Sequence, residues 1–87
     1  MNSHELIEKF IDLPKKVAYD LVSRKGWTLP PGIDIEDLSQ AGYLGLIDAA
    51  NKYVEGKGPW EGYARIRIKG AMIDWMRSVS WSTRTDR

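Results

Sequence analysis

Tyr63, Ile66, Lys69, Gly70, Ile73 and Arg77 fall on one side of a helix when successive residues are placed about 100° apart. Cations attract phosphates, and exposed aromatic or apolar side chains stack on bases or wedge between them. The chemistry open to such a face is binding of a nucleic-acid strand, with no bond made or broken. A solvated face would be polar throughout, whereas this one mixes basic, aromatic and β-branched groups around a glycine. An amphipathic helix with a merely mixed outer face gives the same pattern, and spacing alone leaves both readings open. The other side, Trp60, Ala64, Ile68, Ala71, Trp75 and Val79, is the expected core side.

Catalytic constellations are missing elsewhere. His4 is the only histidine and sits at a helix start, where capping or solvation suits it. There is no cysteine, hence no disulfide and no thiol nucleophile, a composition that fits a reducing compartment. No His/Asp/Glu spacing matches a metal site, and no glycine-rich loop cradles a phosphate. Asp34, Glu36 and Asp37 form the densest carboxylate cluster, and helix capping accounts for the first and last. No enzyme activity, metal or cofactor is expected.

The 87 residues carry 13 basic and 12 acidic side chains, a net charge of +1 that hides an asymmetry. From residue 65 onward the bases Arg65, Arg67, Lys69, Arg77, Arg84 and Arg87 face only Asp74 and Asp86. The earlier part is net acidic. Two surfaces with different partners are expected, the basic one suited to nucleic acid. The N-terminus lacks the apolar run of a secretory signal and no segment is long and apolar enough to span a bilayer. A soluble, cytoplasmic protein with no membrane partner is expected.

The elements that must position these residues are helical. Leu6, Ile7, Phe10, Ile11, Val17, Ala18, Leu21 and Val22 recur at three- and four-residue spacing, with Ser3 as candidate N-cap and Gly26 as terminator. Pro14 predicts a break near residues 12–14, with helix resuming behind it. Residues 27–33, WTLPPGI, form a loop, and Asp34 can cap a second helix over residues 35–52, with Asp37 three residues on. Its core stripe, Leu38, Ala41, Gly42, Gly45, Leu46 and Ala49, is mostly small, which allows close helix approach. Its outer face reads Glu36, Gln40, Tyr43, Ile47 and Asn51, which suits either ordinary scatter or a partner site. After the turn VEGKG, Pro59 suits the first position of a third helix. The hydroxyl-rich stretch after Val79 is expected to weaken that helix. One all-α domain follows: a small bundle of three main helices, the first interrupted near Pro14. The chain stops in a basic, polar stretch without a terminating signal, so a piece of a longer protein is expected.

Asp37-Leu-Ser-Gln-Ala-Gly-Tyr-Leu-Gly-Leu-Ile-Asp-Ala-Ala-Asn-Lys-Tyr53 resembles the D-L-x-Q-x-G-x-x-G-L-x-x-A-x-x-x-Y/F signature of conserved region 2 in bacterial sigma factors of the sigma-70 family. Tyr63-Ala-Arg-Ile-Arg-Ile-Lys-Gly-Ala-Met-Ile-Asp-Trp-Met-Arg77 is similar to the Y-A-x-x-R-I-R/K-G-A-M-x-D-x-x-R variant of the flagellar or motility class and its sporulation relatives. The resemblance implies that residues 1–87 are a sigma domain 2. It implies that the second helix binds the clamp coiled coil of the beta-prime subunit of core RNA polymerase, at Asp37, Gln40, Ala41, Tyr43 and Ile47. It also implies that the third helix and its tail bind and open the minus-ten promoter element and capture its non-template strand. The aromatic pocket for a flipped base maps to Tyr53 and Tyr63, expected to bracket it, and the duplex-edge wedge maps to Ile66. Trp81 and Arg84 match the W-x-P-R stretch that follows in flagellar-type members, and Arg65, Arg67, Lys69, Ile73 and Arg77 complete the expected DNA-binding set. An anti-sigma factor is a further candidate partner.

Two departures stand out. The family's Phe-x-Thr-Tyr is Trp60-Glu-Gly-Tyr63 here, so Gly62 removes a hydroxyl, and Asp-Trp-x-Pro-Arg is Ser80-Trp-Ser-Thr-Arg84, without the proline. Both bear on which promoter sequence is preferred. Two competing readings are a helical protein–protein module with no DNA role and a duplex-binding helical repressor built as a helix-turn-helix. Strand preference separates them.

Overall fold

The computed structural model describes the backbone of residues 2–85 and the side-chain surroundings of residues 2–79. The described residues form four helices: α1 (Ser3–Lys9), α2 (Leu13–Ser23), α3 (Ile35–Lys52) and α4 (Trp60–Thr85). The expected interrupted first helix is the pair α1 and α2. Pro14 does not precede α2 but sits within its first turn, where a missing N–H removes no helical bond. The cap of α1 is Asn2 rather than Ser3: its side-chain oxygen accepts the Glu5 N–H at 2.9 Å. Gly26, at φ +71°, turns the chain after α2, and the Trp27 N–H returns to the Leu21 carbonyl at 3.0 Å.

The start of α3 is fixed by a reciprocal cap. Asp34 accepts the Asp37 N–H at 3.0 Å, and Asp37 accepts the Asp34 N–H at 3.1 Å. Two of the helix's orphan N-terminal donors are thereby satisfied. Pro59 lies one residue ahead of α4, and its carbonyl receives the Tyr63 N–H at 3.3 Å.

The core lies where α2, α3 and α4 meet, around Leu13, Val17, Leu21, Leu38, Leu46, Ala49, Ala64, Ile68 and Met72. Every residue of the expected α3 stripe is buried. The small ones bring α4 close: a Cβ on Gly45 would lie 2.7 Å from both the Arg67 carbonyl oxygen and Ile68 Cα. The buried line of α4 is rotated slightly from the expected one. Ala64, Ile68 and Met72 are fully buried at i, i+4 spacing, whereas Trp60, Ala71, Trp75 and Val79 are only half-buried. The two-helix face of α2 and α3 is narrow, so the larger side chains spill to its edges.

The backbone of α4 stays helical through Thr85, past the hydroxyl-rich stretch expected to weaken it. Serine and threonine cost only a few tenths of a kcal/mol each in a helix, and no glycine or proline follows Gly70 to break it. At about 1.5 Å per residue, α4 is roughly 39 Å long and accounts for most of the molecule's 48 Å long axis.

Candidate functional site

Two exposed faces result, one on α3 and one on α4. On α3 the outermost ridge is Gln40, Leu44, Ile47 and Asn51, at alternating four- and three-residue steps. Leu44 is 69% exposed and Ile47 42%. Leu44 is absent from the outer face read from the sequence. Its position four residues after Gln40 was the signal that could have found it. Tyr43 lies on the flank of this ridge and packs partly against the core. Ala41 is only 7% exposed and belongs to the core stripe, so its place among the partner-contacting residues is corrected: its methyl faces inward. Asp37 is half-buried and its carboxylate is engaged in the cap of α3.

On α4 the face opposite the core carries Ile66, Lys69, Gly70, Ile73 and Arg77. Ile66 is 71% exposed, Lys69 and Arg77 are exposed, and Ile73 is half-buried. Lys69 and Arg77 make no ion pair among the described residues. The two arginines beside them point to the flanks and are engaged. Arg65 lies beside Glu61 at 3.4 Å, on the side facing α1 and α2. Arg67 reaches α3, where its Nε donates to Asp48 Oδ2 at 2.9 Å and its Nη2 to the same oxygen. Lys52 takes the other Asp48 oxygen at 2.9 Å. Hydrogen bonds from Arg67 and then Lys52 hold the Asp48 carboxyl below the usual carboxylate range. Trp81 and Arg84 lie outside the residues whose side chains are described.

The structure brings Tyr53 and Tyr63 together at the end of α3 and the start of α4. Their ring centroids are 6.0 Å apart and tilted by 37°. Lys52, Tyr53, Val54, Lys57 and Tyr63 line a cleft of about 190 Å³ there. Tyr53 is fixed by its hydroxyl, which donates to the Gly58 carbonyl at 2.8 Å, and by the edge of Trp60 at 5.3 Å. A base sandwiched between two rings needs two contacts of about 3.5–4.0 Å each, so roughly 7–8 Å between them. The tyrosines are closer than that. They form one wall and floor of an apolar cleft with a lysine on each side, and do not bracket an empty slot. Trp60 is in turn packed edge-on by Phe10 at 5.8 Å, and its Nε1 is buried without a hydrogen-bond partner.

Among the described residues no group of three or more His, Cys, Asp or Glu side chains could hold a metal ion. No described helix is long and apolar enough to cross a membrane. His4 pairs with Glu8 at 3.0 Å on the exposed side of α1.

An all-helical domain with an apolar ridge on one helix and an aromatic, cationic face on the next is a binding module. The Sigma-70 region 2 family profile matches residues 6–82, and the chain belongs to that family. It is a sigma factor domain 2 of the flagellar type. It is 48% identical over 86 residues to the RNA polymerase sigma factor FliA of Pseudomonas aeruginosa, covering 97% of this chain and 33% of that protein. It is 36% identical over 88 residues to FliA of Escherichia coli K12, covering 100% and 35%. It is 39% identical over 84 residues to the RNA polymerase sigma-D factor of Bacillus subtilis, covering 95% and 32%. The chain thus spans about a third of the length of these relatives. No solved structure matches it. No enzyme family is indicated.

Proposed function

We propose that this domain binds core RNA polymerase through the outer ridge of α3 and captures the non-template strand of the minus-ten promoter element along α4. The observation that carries the reading is the cleft of Tyr53 and Tyr63 between Lys52 and Lys57, one turn of α4 before the 71%-exposed Ile66. An unpaired base would stack on the exposed side of Tyr63, worth about 1–3 kcal/mol. Ile66 would sit at the last paired step, and Lys69 and Arg77 would follow the backbone. Unstacking costs a few kcal/mol per step, so polymerase must supply positioning. The mechanism is binding energy without catalysis, and the place of action is the bacterial cytoplasm. The partner on α3 is the beta-prime clamp coiled coil, for which Gln40, Leu44 and Ile47 supply a mixed polar and apolar surface. An anti-sigma factor would compete for the same ridge.

Family membership does not favour a repressor or a module without a DNA role. The deciding experiment measures crosslinking of the purified chain to labelled polymerase subunits, and binding of the resulting complex to single-stranded and duplex minus-ten oligonucleotides. Crosslinks to beta-prime and a preference for the non-template single strand are expected. Equal retention of duplex would instead point to a duplex reader.

A further inference from the structure

Asp48 is the acceptor at which α3 and α4 are joined by charge. One carboxylate oxygen holds Arg67 and the other holds Lys52. Both cations border the tyrosine cleft. Lys52 lines it directly, and Arg67 stands one helical turn beyond Tyr63 on the same side of α4. The guanidinium fork and the ammonium recognise carboxylate and phosphate oxygens by the same donors. The side chain of Asp48 is one-third exposed and that of Arg67 42%, so water and a second anion can reach the pair. Lys69 and Arg77, further along α4, have no such internal acceptor among the described residues.

We propose that Asp48 stands in for a DNA phosphate on Arg67 and Lys52, so that strand capture exchanges this carboxylate for the strand's backbone. The inference rests on the reading that α4 and the tyrosine cleft bind single-stranded DNA. It makes Asp48 a residue that sets affinity from within: it holds the two cations beside the cleft in place and taxes every phosphate that takes them. It also ties the strand-binding face to α3, because Asp48 lies one turn beyond Leu44 on the helix that carries the polymerase ridge.

The test is a salt series of anisotropy titrations. The chain, bound to core polymerase, is titrated against a fluorescent minus-ten non-template oligonucleotide. Four forms are compared: the wild type, Asp48→Asn, the double Arg67→Gln, Lys52→Gln, and the triple. Exchange predicts that Asp48→Asn tightens binding and steepens the slope of log affinity against log salt by about 0.7 for each phosphate contact freed. At 0.1 M salt relative to 1 M, that slope corresponds to about fivefold per contact. It also predicts that the arginine–lysine double change costs more affinity in the Asp48→Asn background than in the wild type. A simple structural tether predicts the reverse: Asp48→Asn weakens binding, and the double change adds nothing once Asp48 is gone. Either of those results overturns the exchange. The double change alone leaves every buried residue in place, so it reports even if Asp48→Asn folds poorly: a wild-type slope unchanged by it overturns the proposal. Failure of the wild-type complex to hold the strand at all would overturn the functional reading and this inference together. Retention by the wild type with no effect of Asp48 would overturn the inference alone.

Discussion

Replacing Gly45 with alanine probes the closest approach in the fold, and the outcome can be worked from distances. The new Cβ would meet the Arg67 carbonyl oxygen and Ile68 Cα at 2.7 Å and the Ala71 Cβ at 3.0 Å. Two of these atoms are backbone and cannot swing aside. Restoring ordinary contact at 3.4 Å moves α4 outward by about 0.7 Å, a gap that forfeits a quarter to a half of the dispersion well for atoms along the seam. Overpacking of this kind costs about 1–3 kcal/mol. The gain in helix propensity from glycine to alanine returns up to about 1 kcal/mol. A net loss of about 1–2 kcal/mol remains, which lowers the midpoint of thermal unfolding by roughly 4–16 °C for a domain of this size. Gly70 is the internal control. It also lies within α4, but a Cβ there meets nothing within 4 Å, so Gly70→Ala should stabilise by about 0.5–1 kcal/mol. Urea and thermal denaturation followed by circular dichroism read both. A Gly45→Ala protein as stable as the wild type, or a loss at Gly70 equal to that at Gly45, would refute the argument that close helix approach selects glycine at position 45.

The double change Leu44→Ala, Ile47→Ala should weaken binding to an isolated beta-prime coiled coil at least tenfold, since truncating central apolar contacts commonly costs more than 1 kcal/mol, and should leave the far-ultraviolet spectrum intact. Undiminished binding in a calorimetric titration would remove the α3 ridge from the interface. Tyr63→Ala should cost about 1–3 kcal/mol of affinity for the single strand with little change in salt slope, whereas Arg77→Ala should reduce that slope by about 0.7 and weaken all sequences alike. A pair of salt titrations that interchanged these signatures would reverse the assignment of stacking and phosphate roles. The folded-state carboxyl of Asp48 lies below its unfolded value because of Arg67 and Lys52. Its contribution to stability is therefore fully present above the ordinary carboxylate range and is lost as pH falls through the lower folded value. Carbon-13 titration of the Asp48 carboxyl checks this, and a midpoint at or above the ordinary value would contradict the ion-pair geometry.

The all-helical class, the bounds of α3 and its buried stripe followed from residue spacing. So did the break before α2 and the reciprocal cap of Asp34 and Asp37. These depend on local rules: periodic burial, proline's missing donor and short-range capping act within one or two turns. The basic, aromatic face of α4 was legible for the same reason, because a helix's own geometry gathers Ile66, Lys69, Ile73 and Arg77. The exact cap of α1 was not, since Asn2 and Ser3 are chemically equivalent candidates and only the backbone angle chooses between them.

What tertiary structure decided is which side of each helix is covered and what crosses between helices. Met72 rather than Trp75 is fully buried because the angle at which α4 crosses α2 and α3 sets the covered line, and no single-helix period contains that angle. The same rotation buries Ala41, exposes Leu44 and draws Tyr53 and Tyr63 to within 6.0 Å across a turn. Arg67 and Asp48 are 19 residues apart, and nothing in their spacing pairs them. They meet because Gly45 lets the two helix backbones come close enough for one side chain to span the gap. The sequence by itself determined the helices and the chemistry carried on them. The pairing of charges and rings across the seam was settled by the fold, because contacts between distant residues depend on how the helices pack and not on any local repeat.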